Sequence, residues 1–309
     1  MQKDNPRMWI GRSQLLGDTI AALPIARFFK KNYPNGHLIW PIAKKCSQGA
    51  ALYFNCPYID EIYITDGQEG VTSDRDFAKM NSCDIISNVN PQHPAGPYWP
   101  NERDIYEETW LMIGLPQSEW DKLTEEEQTP ILQKWFNLPA KKFEGKTVGV
   151  WCQAGYAEGK ITERNPSKEY WEKLVFRLIK EGYKVLQFGS EKDWNLFDES
   201  DKKSLISSSF VRMNSLSFID QIRYSLTTDL TIGTDSGSSL ILAAYQHPQI
   251  SLLRMFQEYG HTRNPAAYGP RNKNNFSFVA LGKSHDEIDQ ELIFKKVYEF
   301  VAKRPFTSV

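Results

Sequence analysis

Short apolar runs alternate with amphipathic segments along most of the chain. The runs have the length of strands, and several segments between them carry apolar residues at helical spacing. This alternation predicts a doubly wound α/β protein with parallel sheets. The predicted strands are Met8 to Ile10, His37 to Ile42, Ile62 to Thr65, Asp84 to Val89, Thr147 to Cys152, Lys184 to Phe188 and Asp229 to Ile232.

The best-defined predicted helix begins after Ser167. The Ser167 side chain is suited to accept a hydrogen bond from the first turn, and Gly182 is suited to end the helix. A second helix is predicted from Phe218 to Leu226, before the last predicted strand. The apolar face of the first helix consists of Trp171, Leu174, Val175, Leu178 and Ile179.

A polar segment from Lys141 to Lys146 separates the two halves of this pattern. A strong new strand follows it, so we place a boundary there between two α/β domains, residues 1–144 and residues 145–309. The last predicted helix, Asp286 to Ala302, is expected to pack back on the first domain. A proline-rich stretch from Asn90 to Asp104 has no regular pattern, and its length favours a functional loop.

Composition narrows the class of protein. The 309 residues are 40% hydrophobic and 24% charged, with a net charge of −1. Mean hydropathy is −0.51, no apolar run has the length of a membrane span, and the N-terminal residues lack the apolar core of a signal peptide. These features predict a cytoplasmic protein and exclude a general electrostatic attraction to nucleic acid or anionic membrane.

The cysteine and histidine residues show no metal-binding spacing. The four cysteines, Cys46, Cys56, Cys83 and Cys152, are scattered and form no C-x-x-C pair. The five histidines are equally dispersed. We therefore expect reduced structural thiols and no metal site.

The stretch GTDSGSSLILAA, from Gly233 to Ala244, directly follows the last predicted strand. Its glycines permit a tight turn and close backbone approach, and Asp235 or Ser236 is suited to cap the helix that follows. The first N–H groups of such a helix bind anions, so a phosphate or diphosphate is the expected ligand. An ordinary helix cap without a ligand explains the same residues.

A similar strand-to-helix junction, GRSQLLGDTIAALP, runs from Gly11 to Pro24. Gly17 is expected at the turn and Asp18 at the start of the helix. Asp18 is either a helix cap or a carboxylate that accepts a proton in catalysis. Pro24, within the apolar series that follows, predicts either a kinked helix or a helix that starts late.

Taken together, the two junctions resemble glycosyltransferase family 9, the heptosyltransferases of lipopolysaccharide synthesis and their relatives. The resemblance covers about the first 65 residues and most of Thr147 to Pro270, with the motifs in the family's order and spacing. In the first half the matching motifs are Leu16-Gly17-Asp18, Leu23-Pro24 and Tyr33-Pro34. In the second half they are Asp235-Ser236-Gly237, Ala243-Ala244, Pro248 and the segment Arg263 to Pro270.

This resemblance implies a GT-B fold, in which an acceptor-binding and a donor-binding Rossmann-like domain enclose an interdomain cleft. It also implies inverting, metal-independent transfer from a nucleotide-diphosphate sugar, with no further cofactor. Asp18 matches the family's general base. Lys168 is the nearest match to a donor-contacting lysine, although its spacing to Trp171 departs from the family pattern. The other residues implied in donor binding are Gly17, Asp235, Ser236, Gly237, Ser238 and Ser239.

One departure from the family bears on the donor. Leu240 stands where the family commonly has a donor-contacting histidine. Leucine at this position argues against the family's usual donor, ADP-heptose. The alternatives are a different sugar nucleotide as donor or a different way of stabilising the leaving group. The helix N–H groups would still serve the diphosphate.

The acceptor is expected to be a saccharide or a glycolipid, reached from the cytoplasm or from the inner face of the membrane without stable insertion. The locally basic stretch Arg263 to Lys273 keeps a nucleic-acid acceptor as an alternative. Two other functions fit the same scaffold, a non-catalytic nucleotide-sugar binding module and a nucleotide-sugar epimerase. The presence of Asp18 favours the transferase over the binding module.

Overall fold

The computed structural model describes residues 4–11, 16–66, 73–88, 104–153, 165–197, 206, 208–234, 236–254, 256–258, 261–263, 271–281 and 284–302. The chain forms two compact units. The first comprises Met1–Trp135 with Tyr259–His261, and the second comprises Phe136–Glu258 with Thr262–Val309. The division after Trp135 lies upstream of the polar segment at which the sequence pattern places the domain boundary.

The first unit is built on a parallel sheet of four strands. The strands are β1 Arg7–Gly11, β2 His37–Ala43, β3 Glu61–Thr65 and β4 Ile85–Asn88. They lie in the order β3-β2-β1-β4, so the first strand of the chain is an inner one. The helices are α1 Leu16–Ala21, α2 Leu23–Asn32, a 3-10 helix Lys44–Tyr53, α3 Asp74–Asn81, α4 Ile105–Met112, α5 Gln117–Trp120 and α6 Glu125–Gln128.

A break at Ala22 divides the first helical segment in two. Helix α1 ends at Ala21 and α2 begins at Leu23, with Pro24 in its first turn. Proline has no backbone N–H and its fixed φ suits the first turn of a helix, so it starts a new helix here. Of the two outcomes expected for Pro24, the structure shows the late start.

The second unit is built on a parallel sheet of six strands. They are β5 Thr147–Trp151, β6 Lys184–Phe188, β7 Phe210–Arg212, β8 Leu230–Thr234, β9 Gln249–Arg254 and β12 Asn275–Ala280. Two short strands, β10 Phe256–Glu258 and β11 His261–Arg263, pair with each other. The helices are α7 Lys168–Lys180, α8 Phe218–Ser225, α9 Gly237–Ala244, a 3-10 helix His285–Glu287 and α10 Gln290–Ala302.

The spatial order of the large sheet is β12-β9-β8-β5-β6-β7. If its strands are counted along the chain, this order is 6-5-4-1-2-3, which is the Rossmann arrangement. The predicted α/β class and the parallel pairing are therefore confirmed in both units. The strands predicted from the apolar runs are present, with ends that differ by a residue or two.

Helix α7 has the start and the end that the sequence predicts. The Ser167 hydroxyl accepts a hydrogen bond from the N–H of Tyr170 at 3.1 Å. The helix ends at Lys180, and Gly182 follows with a φ of +84°, the left-handed conformation common after a helix. Trp171 and Leu174 on its apolar face are fully buried in the core of the second unit.

Gly182→Ala is expected to destabilise the second unit through the backbone alone. A Cβ at this position meets no described atom within 4 Å, so the change creates no clash. The left-handed conformation nevertheless costs an L-residue about 1–2 kcal/mol, which corresponds to a fall in Tm of about 2–8 °C. Thermal denaturation measures the effect. Gly182→Asn is the control, because Asn tolerates this conformation better and should lose less.

The C-terminal helix α10 packs on the second unit. Ile293, Val297 and Val301 on its apolar face belong to the core formed by the large sheet and α7. On its polar side, Arg177 of α7 donates to Glu291 at 2.7 Å. The buried face of this helix is thus filled by the unit that precedes it in the chain, and the expected packing on the first domain stays a prediction.

Two negative findings concern the described part of the chain. No helix there is both long enough and apolar enough to cross a membrane. None of the four cysteines is in a disulfide, and burial raises the pKa of the Cys152 thiol well above its usual value. A thiol in that state is a poor nucleophile.

Candidate functional site

Both predicted junctions lie where the strand order of a sheet reverses. In the second unit, β5 has β6 on one side and β8 on the other, and α9 begins just after β8. In the first unit, β1 lies between β2 and β4, and α1 follows β1. Open α/β sheets bind ligands outside the carboxyl ends of their strands at such switch points. Each junction therefore lies at the edge of its own sheet where proteins of this architecture bind ligands.

The junction after β8 brings strand and helix very close together. Gly233 pairs with Trp151, the last residue of β5, across the sheet. A Cβ on Gly233 would lie 3.1 Å from the hydroxyl oxygen of Ser239 and 3.4 Å from the Cβ of Trp151. The absence of a side chain at Gly233 is thus what allows the first turn of α9 to lie against the end of the sheet.

Ser239 closes this junction from the inside. Its hydroxyl donates to the carbonyl of Thr234 at 2.7 Å, and its backbone N–H donates to the carbonyl of Ser236 at 3.1 Å. Its own carbonyl accepts a hydrogen bond from the Gln249 side chain at 3.0 Å. Ser239 therefore stabilises the turn, and both of its donors already have protein acceptors.

The remaining donors of the turn belong to Gly237 and Ser238. Ser236 precedes the helix in an extended conformation, and its hydroxyl lies 2.7 Å from that of Ser238. Among the described residues, the N–H groups of Gly237 and Ser238 have no acceptor. These two N–H groups would donate hydrogen bonds to an anion bound at the start of α9. Asp235 lies outside the described residues.

Leu240, the position at which the sequence departs from the family pattern, lies on the second turn of α9. Its side chain is buried, with a relative exposure of 6%. An imidazole at this position would carry a polar group, whereas Leu240 presents only an aliphatic surface. The Leu240 side chain therefore belongs to the buried apolar surface of α9.

Lys168 is the first residue of α7, the helix that follows β5. Because β5 and β8 are adjacent and parallel, α7 and α9 begin at the same edge of the sheet. The Lys168 ammonium is 4.0 Å from the carboxylate of Glu172, which also accepts the N–H of Phe197 at 2.9 Å. Lys168 thus lies at the same edge of the sheet as the start of α9, and its partner Glu172 is one helical turn further along α7.

Asp18 lies in the first turn of α1, two residues after the helix begins at Leu16. Its side chain is partly exposed, and its carbonyl accepts the N–H of Ala22 at 3.2 Å. Gly17 precedes it inside the helix and not in the turn before it. The carboxylate is thus carried by a very short helix at the ligand-binding edge of the first sheet.

Three residues that hold this helix in place, Thr19, Tyr53 and Gly49, were not predicted. The hydroxyl of Thr19 contacts that of Tyr53, and Leu16 packs directly against Gly49. Thr19 and Tyr53 are 34 residues apart in the chain. No local pattern in the sequence links such distant residues, since their contact arises only when β2 and the 3-10 helix fold back beside β1.

No cluster suited to a metal ion occurs in the described residues, where no three His, Cys, Asp or Glu side chains come together. Among the described residues, these edges of the two sheets offer backbone N–H groups, hydroxyls, the Lys168 ammonium and the carboxylate of Asp18. Such donors bind anions, and a carboxylate accepts protons.

No protein-family model matches the chain, and no curated protein matches it in sequence. Solved structures do match. The E. coli ADP-heptose lipopolysaccharide heptosyltransferase II is 13% identical, covers 96% of this chain and 99% of its own, and has a TM-score of 0.69. The glycosyl transferase family 9 protein of Veillonella parvula DSM 2008 is 13% identical, covers 98% and 99%, and has a TM-score of 0.66.

A third match is TibC of enterotoxigenic E. coli H10407, described as an iron-containing dodecameric glycosyltransferase. It is 14% identical, covers 94% of this chain and 69% of its own, and has a TM-score of 0.56. Together these matches show that the chain has the GT-B fold of the heptosyltransferases. This fold is the one that the resemblance to glycosyltransferase family 9 implies.

Proposed function

We propose that this protein is an inverting glycosyltransferase that moves a sugar from a nucleotide-diphosphate sugar to an acceptor hydroxyl. The observation that carries the proposal is the start of α9 at the switch point of a Rossmann-ordered sheet, where the N–H groups of Gly237 and Ser238 have no acceptor among the described residues. The fold supports this proposal, because one of the solved structures with the same fold is an ADP-heptose lipopolysaccharide heptosyltransferase.

The donor diphosphate is held at the start of α9. The N–H groups of Gly237 and Ser238 donate to its oxygens, and the positive end of the helix dipole favours its charge. Asp235 and Ser236 border the same turn, and Lys168 adds a positive charge at the same edge of the sheet. Ser239 contributes by fixing the turn through its bond to Thr234.

Asp18 acts as the general base. Its carboxylate takes the proton of the acceptor hydroxyl while the acceptor oxygen forms a bond to the anomeric carbon. The bond between that carbon and the diphosphate oxygen breaks, and the nucleoside diphosphate leaves with the electron pair. Attack from the face opposite the leaving group inverts the anomeric centre. Hydrogen-bond donors that are already in place stabilise the charge that grows on the diphosphate.

The reaction as proposed needs no metal. The N–H groups at the start of α9 and the Lys168 ammonium neutralise the leaving diphosphate, which is the task that a divalent cation performs in other transferases. The acceptor is a saccharide or a glycolipid, met in the cytoplasm or at the inner face of the membrane. Closely related alternatives, a nucleotide-sugar binding module or an epimerase, are outcomes of the test that follows.

The proposal predicts that one class of nucleotide-diphosphate sugar raises the Tm of the protein. At a concentration about 100-fold above Kd, binding contributes about 2.7 kcal/mol, or a rise of about 5–10 °C for a unit of this size. The screen covers ADP-, GDP-, UDP- and dTDP-sugars, each against its nucleoside monophosphate as the control. EDTA is expected to leave both the shift and the turnover unchanged.

Products distinguish the candidate functions. A transferase releases nucleoside diphosphate slowly in water and faster with an acceptor. A binding module gives the thermal shift without release, and an epimerase converts the donor without releasing diphosphate. If no sugar nucleotide shifts the Tm, the proposed function is wrong.

A further inference from the structure

The short helix α1 depends on other parts of the first unit for its position. A helix of six residues has too few internal hydrogen bonds to be stable by itself. Leu16 and Thr19, which bracket Gly17 and Asp18 in the sequence, both contact the 3-10 helix Lys44–Tyr53. Asp18 therefore lies between two anchoring points.

The first anchor is the contact between Leu16 and Gly49. A Cβ at Gly49 would overlap the Leu16 side chain, with Cδ2 only 2.8 Å away. Glycine at this position lets Leu16 lie directly on the backbone of the 3-10 helix. Leu16 is the first residue of α1. A residue larger than glycine at position 49 would displace its side chain.

The second anchor is a buried contact between two hydroxyl groups, those of Thr19 and Tyr53. The Thr19 hydroxyl donates to the Leu16 carbonyl at 2.7 Å, which uses its only proton. In its close contact with Tyr53, Thr19 must then be the acceptor and the phenol the donor. Thr19 is 0% exposed and Tyr53 is 1% exposed, so water does not compete for the hydrogen bond between their hydroxyls.

We propose that Tyr53 and Gly49 are positioning residues for Asp18. They touch neither substrate nor the reacting atoms in this assignment. The phenol of Tyr53 fixes Thr19, Thr19 fixes the carbonyl of Leu16, and Gly49 fixes the Leu16 side chain, so that the carboxylate between them is held in one orientation. This inference rests on the proposed role of Asp18 as general base.

Tyr53→Phe keeps the ring and removes only the hydroxyl. Since a small misplacement of a catalytic group lowers the rate strongly, we expect kcat to fall about 10- to 100-fold. The Kd of the donor should stay nearly unchanged, because the proposed diphosphate contacts lie in the second unit. Thr19→Val is expected to give the same loss, the double variant no additional loss, and Thr19→Ser to restore most of the rate.

Tyr170→Phe is the matched control. It also removes a buried phenol, whose hydroxyl donates to the carbonyl of Ile288 at 2.8 Å in the second unit. It should lower Tm to a similar extent and leave kcat unchanged. If Tyr53→Phe does not fold, Gly49→Ala takes its place, because the flexible Leu16 side chain is able to shift and allow folding.

Hydrogen exchange of the peptide covering residues 16–22 tests the inference without any substrate. Faster exchange is expected in Tyr53→Phe and not in Tyr170→Phe. Unchanged exchange, or an unchanged kcat in an active protein, overturns the positioning role. If the wild-type protein turns over no donor, the proposed function has failed, and exchange alone then decides whether Tyr53 orders this helix.

Discussion

Asp18→Asn is expected to lower kcat by about 10²–10⁴-fold, the usual contribution of a general base. The amide has nearly the size of the carboxylate but does not accept a proton at neutral pH. Donor affinity should stay nearly constant, since the proposed diphosphate contacts lie in the second unit. The fold should also be preserved, because Asn is as well suited as Asp to the start of a helix.

The measurement is turnover of the donor found in the thermal screen, together with Tm and the donor Kd by calorimetry. Asp74→Asn is the matched control, because Asp74 is an exposed acid in the first turn of another helix of the same unit. It should retain full activity. A stable Asp18→Asn protein with normal turnover would end the general-base assignment and favour a role for Asp18 in helix structure.

Gly237→Val is the second change with a large expected effect. Gly237 opens α9, and a branched side chain there would crowd the space in front of the first N–H groups. Hydrogen bonds to a charged group are worth about 1.5–3 kcal/mol, so losing one or more should raise the donor Kd at least about 10- to 100-fold. Calorimetric titration with the donor measures the loss.

The fold itself should tolerate Gly237→Val, because the residue is the first of the helix, where propensity differences matter least. Gly237→Ala provides a graded comparison, with a smaller side chain and an intermediate loss of affinity. Unchanged donor binding by a folded Gly237→Val protein would contradict the placement of the diphosphate at this turn.

Structural features with a local signal were predictable from the sequence. Helix α7 is an example, since its cap at Ser167, its apolar face and its terminator Gly182 all lie within one short stretch. The two junctions were also recognisable, because a strand, small residues and a helix start follow one another directly in the chain. Both lie after the carboxyl ends of strands, at the switch points of their sheets.

Features that depend on distant parts of the chain were not predictable in the same way. The apolar face of α10 shows that the helix packs on something, but the pattern does not specify that this face fills the core of the second unit. The contact between Thr19 and Tyr53 was missed for the same reason. For Ser239, the sequence showed a small polar residue but not that its hydroxyl points back to Thr234.

The contact between Leu16 and Gly49 has a consequence for the construction of chimaeras within this fold. The segment from β1 to the end of the 3-10 helix acts as one exchangeable block, because each half is shaped to the other. A recombination crossover between α1 and the 3-10 helix would set Leu16 against whatever residue the second parent supplies opposite it. Parents without glycine there would yield hybrids with a displaced helix, whereas crossovers after Tyr53 would transfer the block intact.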